Sequence, residues 1–217
     1  MKQHILIAAL VTFFLSVNPV EAAKKVRPTV TPTPTFIPKS ICIDAGHGGP
    51  EEIGTTNADL LEKNVNLDVA LLLRDKLIAE AGYIKDETLF MTRETDVAMT
   101  NADRYDFCNS KNTAILVSIH HNGSTDSSVD YSLGLYMKDS DILLAQQIVS
   151  SVSTALGIKS NGISRFPSGV LLKSNMPATI SEGFFLTNTN EYNLIKNSDR
   201  LIQETNALFT GIKNYFE

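Results

Sequence analysis

Residues Ala114 to Asn122 read AILVSIHHN. Ala114 to Ile119 is almost wholly apolar, and two imidazoles follow at once. A short, continuously apolar run predicts a strand buried on both faces, as in a parallel sheet covered by helices. Similar runs occur at Ile41 to Ile43, Thr88 to Thr92, Leu133 to Met137, Val170 to Leu172 and Ala178 to Phe185. Helical periodicity lies between them. Glu62 to Ala81 carries Leu67, Ala70, Leu71, Leu77, Ile78 and Ala81 on a common surface, and Gly82 is expected to stop it. Thr100 to Lys111 is a second helix with Thr100 as N-cap, and Asp141 to Leu156 a third, closed by Gly157. Asn190 to Lys196 and Arg200 to Tyr215 are closing helices. The alternation predicts a single α/β domain: a mostly parallel, twisted sheet of about six strands with helices on both faces. Ligands in such folds sit beyond the carboxyl ends of the strands.

The domain is expected over residues 40–217. Residues 1–22 have the layout of a secretory signal peptide: Lys2, an apolar run from Ile5 to Val17, then small residues at Val20 and Ala22. That run falls short of the roughly 20 residues a membrane-spanning helix needs, so no stable membrane insertion is expected once the leader is cleaved. Residues 23–39 hold Pro28, Pro32, Pro34 and Pro38 among Thr and Lys, the composition of an extended linker. The chain is expected to be exported to the periplasm, the cell wall or the extracellular space, and to act as a monomer.

Composition narrows the function classes. The 217 residues are 43% hydrophobic and 20% charged, as in an ordinary globular protein. Nineteen basic against twenty-four acidic residues give a net charge of -5, which leaves no electrostatic footprint for nucleic acid. The two cysteines are too few for a disulfide scaffold or a four-thiolate zinc site. Cys42 in a core strand and Cys108 in a helix could pair after export; their placement slightly favours buried free thiols.

The polar residues at the strand ends carry the chemistry. Asp44-Ala45-Gly46-His47-Gly48-Gly49 follows the first strand, and Ser118-Ile119-His120-His121-Asn122 ends the third. His120 and His121 point to opposite faces if the strand continues through them. Glu62 opens a helix, where the macrodipole alone would welcome a carboxylate. Glu182 lies inside an apolar strand, where an unpartnered charge is costly. Two imidazoles and a carboxylate, as in His47, Glu62 and His120, form the ligand set of many catalytic zinc sites and leave a position for water. A further carboxylate beside that water can serve as base and then acid.

These motifs resemble the zinc-dependent N-acetylmuramoyl-L-alanine amidases of the amidase type 3 family. The resemblance rests on Ile43 to Gly49 (IDAGHGG), Glu62 to Leu67 (EKNVNL), Met91-Thr92-Arg93 with Asp96, Ser118 to Asn122 (SIHHN) and Glu182 to Asn188 (EGFFLTN). It runs from about Ile41 to the C-terminus. It implies hydrolysis of the amide between N-acetylmuramic acid and L-alanine in peptidoglycan, with one Zn2+ per chain. It implies His47, Glu62 and His120 as metal ligands and Glu182 as the catalytic carboxylate. Asn122, Arg93 and His121 follow as weaker candidates for substrate contact or support of the ligands. Arg93 and Arg104 are expected to pair with Asp96 or a loop carbonyl.

Departures from the family pattern are His121 and Phe184, where a small residue is common. The short Gly123 to Leu133 stretch leaves little room for a helix that would plug the site, so an open cleft is expected. Two alternatives stay open: a zinc carboxypeptidase-like hydrolase, and a catalytically inactive wall-binding protein.

Overall fold

The computed structural model describes residues 39–80 and 83–217. The expected leader and all but Lys39 of the linker lie outside the described residues, as does Gly82. The strands are β1 (Ile41–Ala45), β2 (Thr56–Asn57), β3 (Leu60–Leu61), β4 (Leu89–Met91), β5 (Ile115–Asn122), β6 (Ser132–Tyr136), β7 (Ser160–Arg165) and β8 (Ala178–Phe185). The helices are α1 (Glu62–Ala79), α2 (Asn101–Ser110), α3 (Ile142–Leu156), α4 (Gly169–Lys173), α5 (Thr189–Asn197) and α6 (Arg200–Phe216).

Six strands form one sheet in the order β4-β1-β5-β8-β6-β7, and β2 pairs with β3 as a small hairpin. The four strands from β4 to β8 run parallel. β6 is antiparallel to β8, and β7 runs parallel to β6. The expected architecture is therefore the observed one, with one exchange of elements. Val170 to Leu172, expected as a strand, belongs to the short helix α4, which buries Val170 and Leu171. The sixth strand is β7 instead, a largely exposed edge reading SNGISR. Three apolar residues fit either a strand or a helix, and a polar edge strand carries no hydrophobic alternation to mark it.

Strand alternation divides the core. Ile41, Ile43, Ile115, Val117 and Ile119 meet Val69, Leu73 and Leu77 of α1 and Leu208 and Ile212 of α6 in one cluster. Cys42, Leu116, Ala178 and Ile180 meet Cys108 of α2 and Val170 and Leu171 of α4 on the opposite face. Each buried Leu, Ile or Val in these layers contributes about 1.5–3 kcal/mol relative to exposure. Helix ends follow local chemistry. Thr100 caps α2 in a reciprocal box with Asp103, and Gly157 ends α3 at φ 65°, a left-handed conformation that glycine adopts without Cβ strain.

The cysteines correct the expectation of free thiols. Cys42 and Cys108 form a disulfide with a Cα–Cα separation of 5.8 Å. Alternation along β1 turns Cys42 toward α2, which brings the two sulfurs into bonding range across the sheet–helix interface.

Candidate active site

The carboxyl ends of β1, β5 and β8 lie side by side, and the site is built on them. After β1 the chain turns through Gly46 and His47, the latter at φ 58°. A non-glycine residue holds this left-handed conformation only when its surroundings fix it. Here buried side chains grip the loop carbonyls. Arg93 donates from Nε to Ala45 O (2.9 Å) and from Nη2 to Gly46 O (2.9 Å). Arg104 donates from Nη1 to Ala45 O and from Nη2 to His47 O, both at 2.7 Å. Both arginines thus meet the expectation of pairing with a loop carbonyl. Asp96 instead accepts from Lys63 Nζ (2.6 Å) and Gly49 N (2.7 Å).

Glu62 is the first residue of α1, whose N-terminus faces the end of the sheet. Its Oε2 accepts from Thr55 N (2.7 Å), and its Oε1 accepts from His121 N (3.2 Å). The same Oε1 lies 3.2 Å from His47 Nε2 and 3.1 Å from His120 Nδ1. Burial disfavours the Glu62 charge, but the two imidazoles outweigh it and hold the carboxyl well below the usual carboxylate range.

His47, Glu62 and His120 each present one ligand atom, and these atoms all lie within 4.8 Å of one another. Two imidazole nitrogens and one carboxylate oxygen in so small a space are a donor set suited to a zinc-sized cation. Glycine makes the convergence possible. A Cβ on Gly46 would stand 2.2 Å from His120 Nε2, and one on Gly54 would stand 2.4 Å from Glu62 Oε2.

Glu182 of β8 is the register partner of His120 on β5, so the two side chains emerge on the same face. Burial raises the Glu182 carboxyl above its ordinary value despite the opposing pull of His120. His47, His120, Asn122 and Glu182 all open onto a cavity of about 900 Å3. Thr100 and Asn101 at the start of α2 and Ser164, Phe166 and Ser168 at and beyond the end of β7 also line it. Sequence reasoning misses the Ser164–Ser168 part of the lining, because β7 carries no apolar alternation. The lone aromatic Phe166 in a polar stretch is the available signal. The segment 123–131 between β5 and β6 contains turns and no helix.

The weaker candidates separate. Asn122 lines the cavity, whereas Arg93 is buried behind the His47 loop. His121, expected either to contact substrate or to support the ligands, lies away from the cavity, on the side of the supporting role. Alternation along β5 turns its ring to the opposite face, where it is 1% exposed and contacts Asn66 and Glu204.

Residues 41–214 match the family N-acetylmuramoyl-L-alanine amidase, amidase type 3. The chain belongs to this amidase family. It is similar to YqiI of Bacillus subtilis (strain 168), at 29% identity over 82% of this chain and 85% of that protein. It is also similar to the N-acetylmuramoyl-L-alanine amidase LytC of the same organism, at 28% identity over 82% of this chain. The chain spans only 36% of LytC's length. Among solved structures, the N-acetylmuramoyl-L-alanine amidase from Clostridium difficile 630 superposes with a TM-score of 0.75 at 29% identity. That match covers 82% of this chain and 97% of the other. The fold around the site is thus that of the family's catalytic domains.

Proposed function

We propose that this amidase domain hydrolyses the amide between the lactyl group of N-acetylmuramic acid and L-alanine in peptidoglycan, with one zinc ion held by His47, Glu62 and His120. The observation that carries the reading is the meeting of these three ligand atoms next to a cavity of about 900 Å3 that His47, His120 and Glu182 line together. Zinc bound there supplies a Lewis acid for the scissile carbonyl and lowers the pKa of a bound water toward about 7.

The chain's own residues do the rest. Glu182 takes the proton of the attacking water and returns it to the L-alanine nitrogen as the C–N bond breaks. Its partly desolvated carboxyl suits a group that must first accept and then donate. Asn122, which lines the cavity, offers an amide for orienting the substrate. Arg93 and Arg104 act on the loop rather than the substrate, holding His47 in its left-handed conformation. Residues 1–22 serve as an export signal and residues 23–39 as a spacer, which brings the domain to the wall in the periplasm or outside the cell.

The test joins metal analysis to digestion of intact, purified peptidoglycan, with mass spectrometry of the released material. About one zinc per chain and free stem peptides beginning at L-alanine are expected. Release of shortened stems with the amide intact would replace the reading with a carboxypeptidase. Folded protein that takes up zinc and releases nothing would count against hydrolysis of this substrate.

A further inference from the structure

Behind the sheet, opposite the cavity, lies a buried polar chain that the proposed reaction does not use. Asn66 sits one helical turn after Glu62 on α1, so the two side chains are neighbours. Asn66 donates from Nδ2 to Gly46 O (3.1 Å) and to Glu62 Oε1 (3.4 Å). Both donor positions face the loop and the carboxylate, which leaves Oδ1 as its acceptor. His121 Nδ1 is 2.7 Å from that oxygen, so Nδ1 is placed to donate to it. The other ring nitrogen, Nε2, lies 2.9 Å from Glu204 Oε2 of α6, a carboxylate oxygen, so it too is placed to donate. All three side chains are essentially without solvent exposure. Phe184 holds the ring from the side, with centroids 4.3 Å apart. Glu204 also presses on the strand that carries Glu182: a Cβ on Gly183 would stand 2.1 Å from Glu204 Oε1.

We infer that His121 is a positioning residue that fixes the amide of Asn66, and through it Glu62, in the orientation required for metal binding, with Glu204 setting the ring. The inference rests on the zinc reading above. An Asn amide turned by half a rotation would set its oxygen, not its NH2, against the Glu62 carboxylate. Nδ1 of His121, as a donor, excludes that orientation, because it needs an acceptor opposite. The backbone N–H of the same residue donates to Glu62 Oε1, so one residue acts on the carboxylate twice. Partners that orient metal ligands in this way typically change affinity 10–100-fold when removed.

The experiment measures zinc affinity by competition with a chromophoric chelator, alongside thermal midpoint, kcat and KM. Removing His121 alone would strand Glu204 in the core, so the informative variant is H121F/E204M, which replaces both polar groups by apolar ones of similar bulk. Its expected result is a folded protein with about tenfold weaker zinc binding or worse, and with kcat reduced more than KM is changed. E204Q, which keeps a polar partner for the ring, is expected to retain most of the affinity. Asn66→Ala supplies the same readout if H121F/E204M does not fold, and there too about a tenfold loss is expected. A folded H121F/E204M or Asn66→Ala protein with wild-type zinc affinity would overturn the inference. Wild-type protein that binds no zinc would instead overturn the metal reading and this inference with it.

Discussion

Asp44 and Arg104 form a buried ion pair, with Arg104 Nη1 2.8 Å from Asp44 Oδ1 and both side chains almost wholly withdrawn from water. Asp44 is otherwise satisfied by the hydroxyls of Thr92 (2.7 Å) and Ser118 (2.6 Å). The same guanidinium grips the carbonyls of Ala45 and His47, so this pair ties core stability to the geometry of the His47 loop. Removing one partner of a buried pair leaves an uncompensated charge, at a cost of about 3–5 kcal/mol. Arg104→Met is expected to lose that much stability in urea denaturation and to weaken metal binding as well. Wild-type stability in that variant would show that the pair is dispensable.

The pair also predicts acid sensitivity. Burial alone would raise the Asp44 carboxyl, but Arg104 and the two hydroxyls outweigh it and hold it below its ordinary value of 3.8. The unfolded chain therefore binds the proton more readily than the folded one. Asp44 contributes its full stabilisation above about pH 4, and the contribution disappears as pH falls through the lower folded value. Denaturation midpoints measured downward from about pH 5 are expected to fall. That slope should be shallower in D44N/R104M, which removes the charges together. An equal slope in both proteins would assign the acid sensitivity to other carboxylates.

How far the sequence reveals this arrangement depends on whether each feature is set locally. The apolar runs of β1, β5 and β8 need burial on both faces and can be read directly. Thr100 and Gly157 mark helix ends through their own backbone chemistry. His47 and His120 stand out as imidazoles at the ends of buried strands and Glu182 as a charge inside one, whereas Glu62 opens a helix, where a carboxylate is ordinary, and is singled out only together with the others. The unread features depend on tertiary context. SNGISR becomes β7 only because β6 offers an edge to pair with. The Cys42–Cys108 bond depends on which face of α2 meets β1. Glu204 draws no attention on an amphipathic helix until the fold sets it against His121.

That disulfide supplies the next expectation. It closes a sequence separation of 66 residues, and a loop of that size corresponds to about 4 kcal/mol of lost unfolded-state entropy. Cys108 lies one helical turn beyond Arg104, so the bond also secures the helix that holds the His47 loop. The C42A/C108A variant is expected to unfold at markedly lower denaturant concentration, and wild-type protein should resist reduction until it unfolds. Free thiols detected by labelling the oxidised protein would contradict the bond itself.

Gly46 offers a sharper geometric test. A methyl added at this position would stand 2.2 Å from His120 Nε2, and a small shift cannot relieve the clash, because Arg93 and Asn66 hold the Gly46 carbonyl from the other side. Gly46→Ala should therefore displace the His120 ring and reduce zinc affinity by at least about tenfold. Gly162→Ala is the control: it has a positive φ of 71°, open space around it and no contact with the site. That control should cost some stability and leave metal affinity unchanged. Equal effects of the two substitutions on metal affinity would point to general destabilisation rather than to crowding of His120.

Glu182 separates chemistry from metal binding. It shares a face with His120 but is not among the ligand atoms that converge, so its proposed work is proton transfer alone. Gln keeps the size and hydrogen-bonding reach of the side chain while removing its basicity. Glu182→Gln should therefore retain zinc and stem-peptide binding while kcat falls by about 10²–10⁴, the usual contribution of a positioned general acid–base. Since burial raises the Glu182 carboxyl and disfavours its charge, the neutral amide should leave folding stability unchanged or slightly higher. Zinc content, thermal midpoint and peptidoglycan release measured on the same preparation distinguish the possibilities. Loss of zinc together with activity would make Glu182 a metal ligand, and near wild-type release would move the proton transfer to another group at the cavity.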